Sequence, residues 1–350
     1  MESRKIVFLY TEIASYFLAC LRALQANYPG TEVHLVRWPV NKEAPFMFQF
    51  DQSLKVYDRF DFNDAGLIGL VKQIKPDVIV CSGWIDKGYL KVCRKLRSRS
   101  VTVLTLDNQW RGDLRQVLAS IFSRIALKPV FRFAWVPGER QRTFALRLGF
   151  PERNIRQGFY SCDMQLFRRA DTERDKKQQK FPHRFLFVGR YVAQKGVSDL
   201  WSAFAELQQE SPSDWELWCV GTGDIPPVVH DKVKHFGFMQ PVELRKLLSE
   251  AGVFVLPSQF EPWGVVVHEY AASGFPMICS DAVGSAATFV RKGANGYIYR
   301  AGDIKALKDR LRSIISKSDD ELLKMSDESC RLAEQITPDR WAATLISMLP

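Results

Sequence analysis

Several things are missing from this 350-residue chain, and each absence narrows its chemistry. No apolar run approaches the roughly 18 residues that span a bilayer. The seven cysteines are an odd number and form no Cys-x-x-Cys pair, so neither a disulfide framework nor a zinc site is expected. There is no Asp-any-Asp motif and no His/Asp cluster at ligand spacing, so no metal is expected. Internal repeats and low-complexity tracts are also lacking. The lead into the strand-like residues 6–10 has no small-residue cleavage site, so no secretory signal is expected and a cytoplasmic location is.

What is present is the composition of a soluble globular chain, 46% hydrophobic and 25% charged, long enough for two domains. Apolar runs alternate with amphipathic segments, the pattern of parallel sheets with crossover helices. Strands are expected at 6–10, 32–37, 77–81, 101–106, 133–136 and near 155. A second set falls at 184–188, 216–220, 234–236, 253–256 and 276–280. Residues 168–181 are charged and apolar-poor and read as a solvated linker. The domains are therefore expected at 1–167 and 182–336, followed by a helix at 337–350. Trp341 would anchor that helix or simply fill a core.

Charge is divided unevenly. Residues 1–180 carry 31 Lys and Arg against 18 Asp and Glu, a net +13, whereas residues 181–350 carry −3. A basic half points to an anionic partner. The densest cluster is Lys91, Arg94, Lys95, Arg97 and Arg99. A second stretch, 114–133, sets Arg115, Arg124, Lys128 and Arg132 among Val117, Leu118, Ile121, Phe122 and Ile125. Besides an ordinary solvated face, this suggests peripheral contact with an anionic membrane surface, at its inner face, or with a phosphorylated glycolipid. No recognition motif accompanies the charge, so nucleic acid is not expected as a partner.

The most informative run is Glu261-Pro262-Trp263-Gly264-Val265-Val266-Val267-His268-Glu269. It follows the buried-strand pattern Val253-Phe254-Val255-Leu256. Pro262 biases Glu261 toward an extended conformation. A helical pattern starts at Gly264 and stops at Ser273-Gly274-Phe275-Pro276. Glu261 is thus expected in the loop after a strand and Glu269 on the next helix, in the crevice where open α/β sheets bind ligands. Phe187-Val188-Gly189-Arg190 and Lys195-Gly196 form a second landmark at another strand end, where Arg190 and Lys195 could face a diphosphate beside a helix N-terminus. Phe236-Gly237-Phe238-Met239 forms a third. Gly221-Thr222-Gly223-Asp224 is a short glycine turn that is either a ligand contact or a plain loop.

These three landmarks, in this order and spacing, resemble the retaining glycosyltransferases of family 4, closely over about residues 154–302 and loosely before. The resemblance implies a GT-B fold, two Rossmann-like doubly wound domains facing across a cleft. It implies a metal-independent hexosyltransferase without cofactor, moving a sugar from a nucleotide-diphosphate sugar to a glycan or glycolipid hydroxyl; the basic first half fits an acceptor in cell-surface polysaccharide or glycolipid assembly. Arg190 and Lys195 would hold the donor diphosphate, Glu269 the ribose hydroxyls, and Glu261 would lie near the transferred sugar. Gly189, Trp263, Gly264 and Val265 would sit beside the donor, and backbone around Phe238 and Met239 would read the base.

The first half departs from the family pattern. The loop Tyr10-Thr11-Glu12-Ile13-Ala14-Ser15 has no glycine, leaving backbone near Ala14 and Ser15 for any phosphate contact. Where a His is common, Asp107-Asn108-Gln109-Trp110 follows the strand. Asp107 could orient an acceptor hydroxyl, take its proton, or merely cap a helix. Trp110 could pack on a sugar face. Thr288 stands near a position where Glu is usual. Two rival readings remain, a GT-B nucleotide-sugar 2-epimerase and a non-catalytic sugar-nucleotide-binding subunit of a glycan assembly complex.

Overall fold

A computed structural model describes residues 4–39, 48 and 50–349, and residues 1–3 of the N-terminal lead lie outside them. The chain divides into two units, Met1–Asp163 with Ile336–Pro350, and Met164–Gln335.

In the first unit the strands are β1 (Arg4–Tyr10), β2 (Thr31–Arg37), β3 (Lys55–Asp58), β4 (Val78–Ser82), β5 (Val101–Thr105), β6 (Phe133–Trp135) and β7 (Ile155–Arg156). They form one parallel sheet in the order β3-β2-β1-β4-β5-β6-β7. Alternate residues of β1 feed two cores. Ile6, Phe8 and Tyr10 pack with Phe17 and Trp341 on one face, while Val7 and Leu9 pack with Leu67, Val71 and Tyr89 on the other. The helix Pro338–Ile346 belongs to this unit. Its Trp341 lies 4.9 Å from the Trp135 ring and donates to the Phe159 carbonyl at 2.7 Å, so the indole fills a core and pins the helix at once.

The second unit repeats the plan with β8 (Arg184–Val188), β9 (Glu216–Val220), β10 (Val233–His235), β11 (Val253–Leu256), β12 (Met277–Ser280) and β13 (Gly296–Tyr299). The order is β10-β9-β8-β11-β12-β13, again parallel. Each sheet reverses its direction of growth once, between β1 and β4 in the first unit and between β8 and β11 in the second. Such switch points are where open α/β sheets hold ligands.

The structure departs from the sequence expectation in two respects. Strands β3 and β13, both sheet edges, are additional to those expected: β3 sets only Val56 and Tyr57 between Lys55 and Asp58, and β13 is the short run Gly296-Tyr297-Ile298-Tyr299. The stretch 168–181 is exposed over most of its length but is not a free linker: it holds the helix Asp171–Gln179, and Arg169, Glu173, Arg174 and Lys177 fasten it to the second unit. Arg169 and Arg174 both pair with Asp327, at 2.6 and 2.9 Å, and Glu173 pairs with Arg245 at 2.5 Å. Lys177 is buried with its ammonium 4.1 Å from the Phe275 ring centroid, and burial lowers its pKa to about 7.

Candidate functional site

At the switch point of the second sheet, the loops leaving β8 and β11 are locked together by their backbones. Beyond β8, the Gly189 amide bonds to the Val220 carbonyl at 3.0 Å, and the Gly221 amide to the Gly237 carbonyl at 2.7 Å. A Cβ on Gly221 would stand 2.0 Å from the Gly189 oxygen, so only glycine allows these strand ends to close up. Tyr191 is buried, its hydroxyl 3.0 Å from His235 Nδ1 and its amide bonded to Thr222. With Tyr191 turned inward, the neighbouring Arg190 side chain is exposed.

The chain then makes one 3₁₀ turn, Ala193–Lys195, and enters the helix Val197–Glu210 through Gly196. Gly196 has φ +65°, and a Cβ there would meet the Pro257 carbonyl oxygen at 2.2 Å. This close approach brings Lys195 onto the loop that follows β11. There Lys195 Nζ forms an ion pair with the Glu261 carboxylate, the two side chains 18% and 13% exposed.

Glu261 is held firmly from behind. Its amide bonds to Ala282 at 3.4 Å and its carbonyl accepts from Gly284 at 3.0 Å, a one-residue bridge onto the loop after β12. The Gln194 side chain donates to the Phe260 carbonyl at 2.9 Å, and Ser285 Oγ donates to the Gly264 carbonyl at 2.8 Å. Gly264, at φ +84°, precedes the helix Val265–Ala272, and a Cβ there would lie 2.8 Å from Glu261 Cγ. The Gly264 and Val265 amides thus open a helix beside the carboxylate, a setting that favours negative ligands. Glu269 stands on the same helix, half-buried. Phe238 and Met239 lie in the loop after β10, with the Phe238 ring exposed.

Trp263 requires correction as a donor-contacting side chain. Its indole is buried in T-shaped contact with Phe289, 6.2 Å between centroids, so it belongs to the core that seats the loop. His268 is likewise buried, stacked on Phe289 at 4.3 Å. Gln194 and Ser285 escaped the sequence reading, although both adjoin landmark residues. They tie the loops of β8, β11 and β12 into one support.

The first unit has its own cavity, about 480 Å³, at the C-terminal ends of β1, β4 and β5. Its lining includes Thr11, Glu12, Ser82, Trp84, Asp107 and Tyr160. Ala14 and Tyr16, at the start of the helix Ser15–Asn27, also reach it. Asp107 is no helix cap, because the next helix, Leu114–Ala126, is capped by Asp113. Instead the Tyr160 hydroxyl donates to Asp107 Oδ2 at 3.3 Å, and Gln141 holds the Asp107 carbonyl at 3.1 Å. Burial first, then the Asp107 charge, push the Tyr160 phenol well above its usual pKa, so it serves as a fixed donor. Trp110 is not among the lining residues. It lies against Phe144 at 5.8 Å with the Arg147 guanidinium 5.1 Å from its ring. The tryptophan that lines this cavity is Trp84, at the Gly83-Trp84 turn after β4, which the sequence reading missed.

Among the described residues, no three His, Cys, Asp or Glu side chains gather where they could share a metal ion. Among the described residues no helix is long and apolar enough to cross a membrane.

Residues 182–317 match the family described as Glycosyl transferases group 1, so the second unit carries that family's domain. A glycogen synthase of Mycobacterium tuberculosis is 32% identical over 143 residues, 38% of this chain and 34% of the relative. The matched stretch thus spans about a third of the length of the curated relatives. Among solved structures, sucrose-phosphate synthase from Thermosynechococcus elongatus superposes with a TM-score of 0.71 at 18% identity, covering 98% of both chains. Anabaena HepE in complex with UDP-glucose gives 0.69 at 16% identity, covering 99% of this chain and 100% of that one. The fold is that of the GT-B glycosyltransferases.

Proposed function

We propose that the chain is a retaining, metal-independent glycosyltransferase that takes a nucleotide-diphosphate sugar as donor. Its acceptor is a hydroxyl of a glycan or glycolipid, in cell-surface polysaccharide assembly at the cytoplasmic side of a membrane. The observation that carries this reading is the Lys195–Glu261 pair at the switch point of the second sheet. Support comes from relatives named glycosyltransferases and from structural neighbours captured with UDP or UDP-glucose.

In this reading the donor diphosphate takes Lys195 away from Glu261 and adds Arg190. The departing charge then meets one forked and one compact cation beside the N-terminus of the helix Val197–Glu210. Glu261, relieved of its partner, is left to orient a sugar hydroxyl or to stabilise positive charge growing at the anomeric carbon. Glu269 takes the ribose hydroxyls, the Gly264 and Val265 amides border the donor, and the loop at Phe238 and Met239 reads the base. In the first unit, Asp107 receives the acceptor hydroxyl, with Tyr160 fixing its orientation.

The test follows nucleoside diphosphate release from a panel of nucleotide sugars by the purified chain, with and without a chelator. One donor is expected to turn over, unaffected by chelation, and a thermal-shift screen identifies it first. A ligand at 100 times its dissociation constant raises stability by about 2.7 kcal/mol. Binding without turnover across an acceptor panel would make the chain a non-catalytic subunit, and appearance of the 2-epimer would make it an epimerase.

A further inference from the structure

The helix Leu114–Ala126 is mounted with its apolar side outward. An amphipathic helix of a globular protein ordinarily turns that side to the core. Here Leu114, Leu118, Ile121, Phe122 and Ile125 recur at the spacing of a single helical face. They are 77%, 49%, 59%, 65% and 82% exposed, and they make up much of the large apolar surface that the described residues present to solvent.

The mounting is polar. Ser123 is the buried residue of this helix. It falls two positions from Ile121 and Ile125, and so on the opposite face. Its hydroxyl donates to the Leu148 carbonyl at 2.8 Å. At the N-terminus, Asp113 caps the Gln116 amide at 2.9 Å, while the Gln116 side chain binds the Arg111 amide and the Gln109 carbonyl. The helix is therefore fixed by hydrogen bonds beneath and at its end, and its hydrophobic residues are not spent on fixing it.

Charge surrounds this face with one sign. Arg115 and Arg124 flank it, Lys128 follows its last turn, and all three are exposed. Residues 111–132 contain five Lys and Arg against one Asp, which is occupied by the cap. A second copy of the chain is a poor occupant, because a two-fold contact would press these basic rims together. A helix of this length, about 20 Å, is too short to span a bilayer but suited to lie in its surface.

We infer that this face docks on an anionic lipid surface, with the helix in the plane of the interface, its apolar side chains among the acyl chains and its cations at the headgroups. The inference does not depend on the sugar-transfer reading.

Flotation of the intact chain with phosphatidylcholine vesicles, with and without phosphatidylglycerol, tests it. The wild type is expected to float with the anionic vesicles, with recovery falling about tenfold on neutral ones and dropping with salt. Ile121→Ser with Ile125→Ser, both at exposed positions, is expected to melt like the wild type and remain at the bottom. Arg115→Gln with Lys128→Gln is expected to lose the preference for anionic lipid. Failure of the wild type to float overturns the inference, as does equal flotation of the serine variant. A wild-type dimer that does not float and that the serine variant dissociates would assign the face to a second copy instead.

Discussion

Lys195 and Glu261 pair across the point where the second sheet reverses its strand order, 66 residues apart in the chain. Their opposite charges meet in one ion pair, and each lies on a loop held in place by other groups. Gly196 against Pro257 positions one, and the Ala282 and Gly284 backbone positions the other. Removing either side chain should therefore act on chemistry far more than on folding. Lys195→Ala and Glu261→Ala are each expected to raise the transfer barrier by about 2–4 kcal/mol, the scale of one fixed electrostatic contact. Steady-state kinetics beside a denaturant melt would check this; near-normal turnover in either variant would contradict the assigned roles.

Gly264 allows a sharper separation of backbone strain from site geometry. Gly264→Ala places a methyl 2.8 Å from Glu261 Cγ at φ +84°, whereas Gly302→Ala, at φ +77°, meets open space. Both should lose roughly 1–2 kcal/mol of stability from the left-handed backbone. Only Gly264→Ala should lose turnover in addition, by displacing the carboxylate. Paired unfolding curves and initial rates would show the contrast.

Tyr160→Phe removes the donor to Asp107 while keeping the ring in its cavity. A hydrogen bond to a charged group contributes roughly 1.5–3 kcal/mol. The variant should therefore weaken use of the acceptor while leaving donor binding unchanged. Separate acceptor and donor titrations would reveal this split, and equal losses in both would argue against an acceptor role for the cavity.

His183 lies between Asp319 at 2.9 Å and Asp214 at 3.0 Å, stacked on Trp215. Burial by itself lowers its pKa, but the hydrogen bonds to Asp319 and Asp214 outweigh burial and raise it above the usual value. A folded-state pKa above the unfolded one means that the stabilisation is full below the unfolded value of about 6.5. It is lost as pH rises through the folded value. The gap in urea midpoint between wild type and His183→Gln should thus be wider at acidic than at alkaline pH. A gap independent of pH would show that the imidazole is neutral throughout.

Much of this was legible beforehand. Strands β1, β8 and β11 are covered on both faces and so announce themselves as apolar runs. Glu261, Lys195 and Gly264 stand in spacings that report a strand end, a turn and a helix start. Strand β3 is hidden because Lys55 and Asp58 enclose its two apolar residues, and β13 because its short run Tyr297-Ile298-Tyr299 stands directly behind the polar turn at 292–296. Residues 168–181 were misread because a paired charge and a solvated one look identical in sequence, and the partners Asp327 and Arg245 lie far along the chain. That Trp84 and not Trp110 lines the cavity depends on the path of the loops after β4 and β5, which local residue type does not determine.

The central claim is that the second unit's switch point grips the donor diphosphate through Lys195. Calorimetric titration of nucleoside diphosphates into wild type, Lys195→Ala and Asp107→Asn tests it most directly. The expected result is one nucleoside diphosphate that binds wild type and Asp107→Asn alike and binds Lys195→Ala about tenfold or more weakly, a difference of at least about 1.4 kcal/mol. Equal binding to wild type and Lys195→Ala, with loss in Asp107→Asn, would contradict the account.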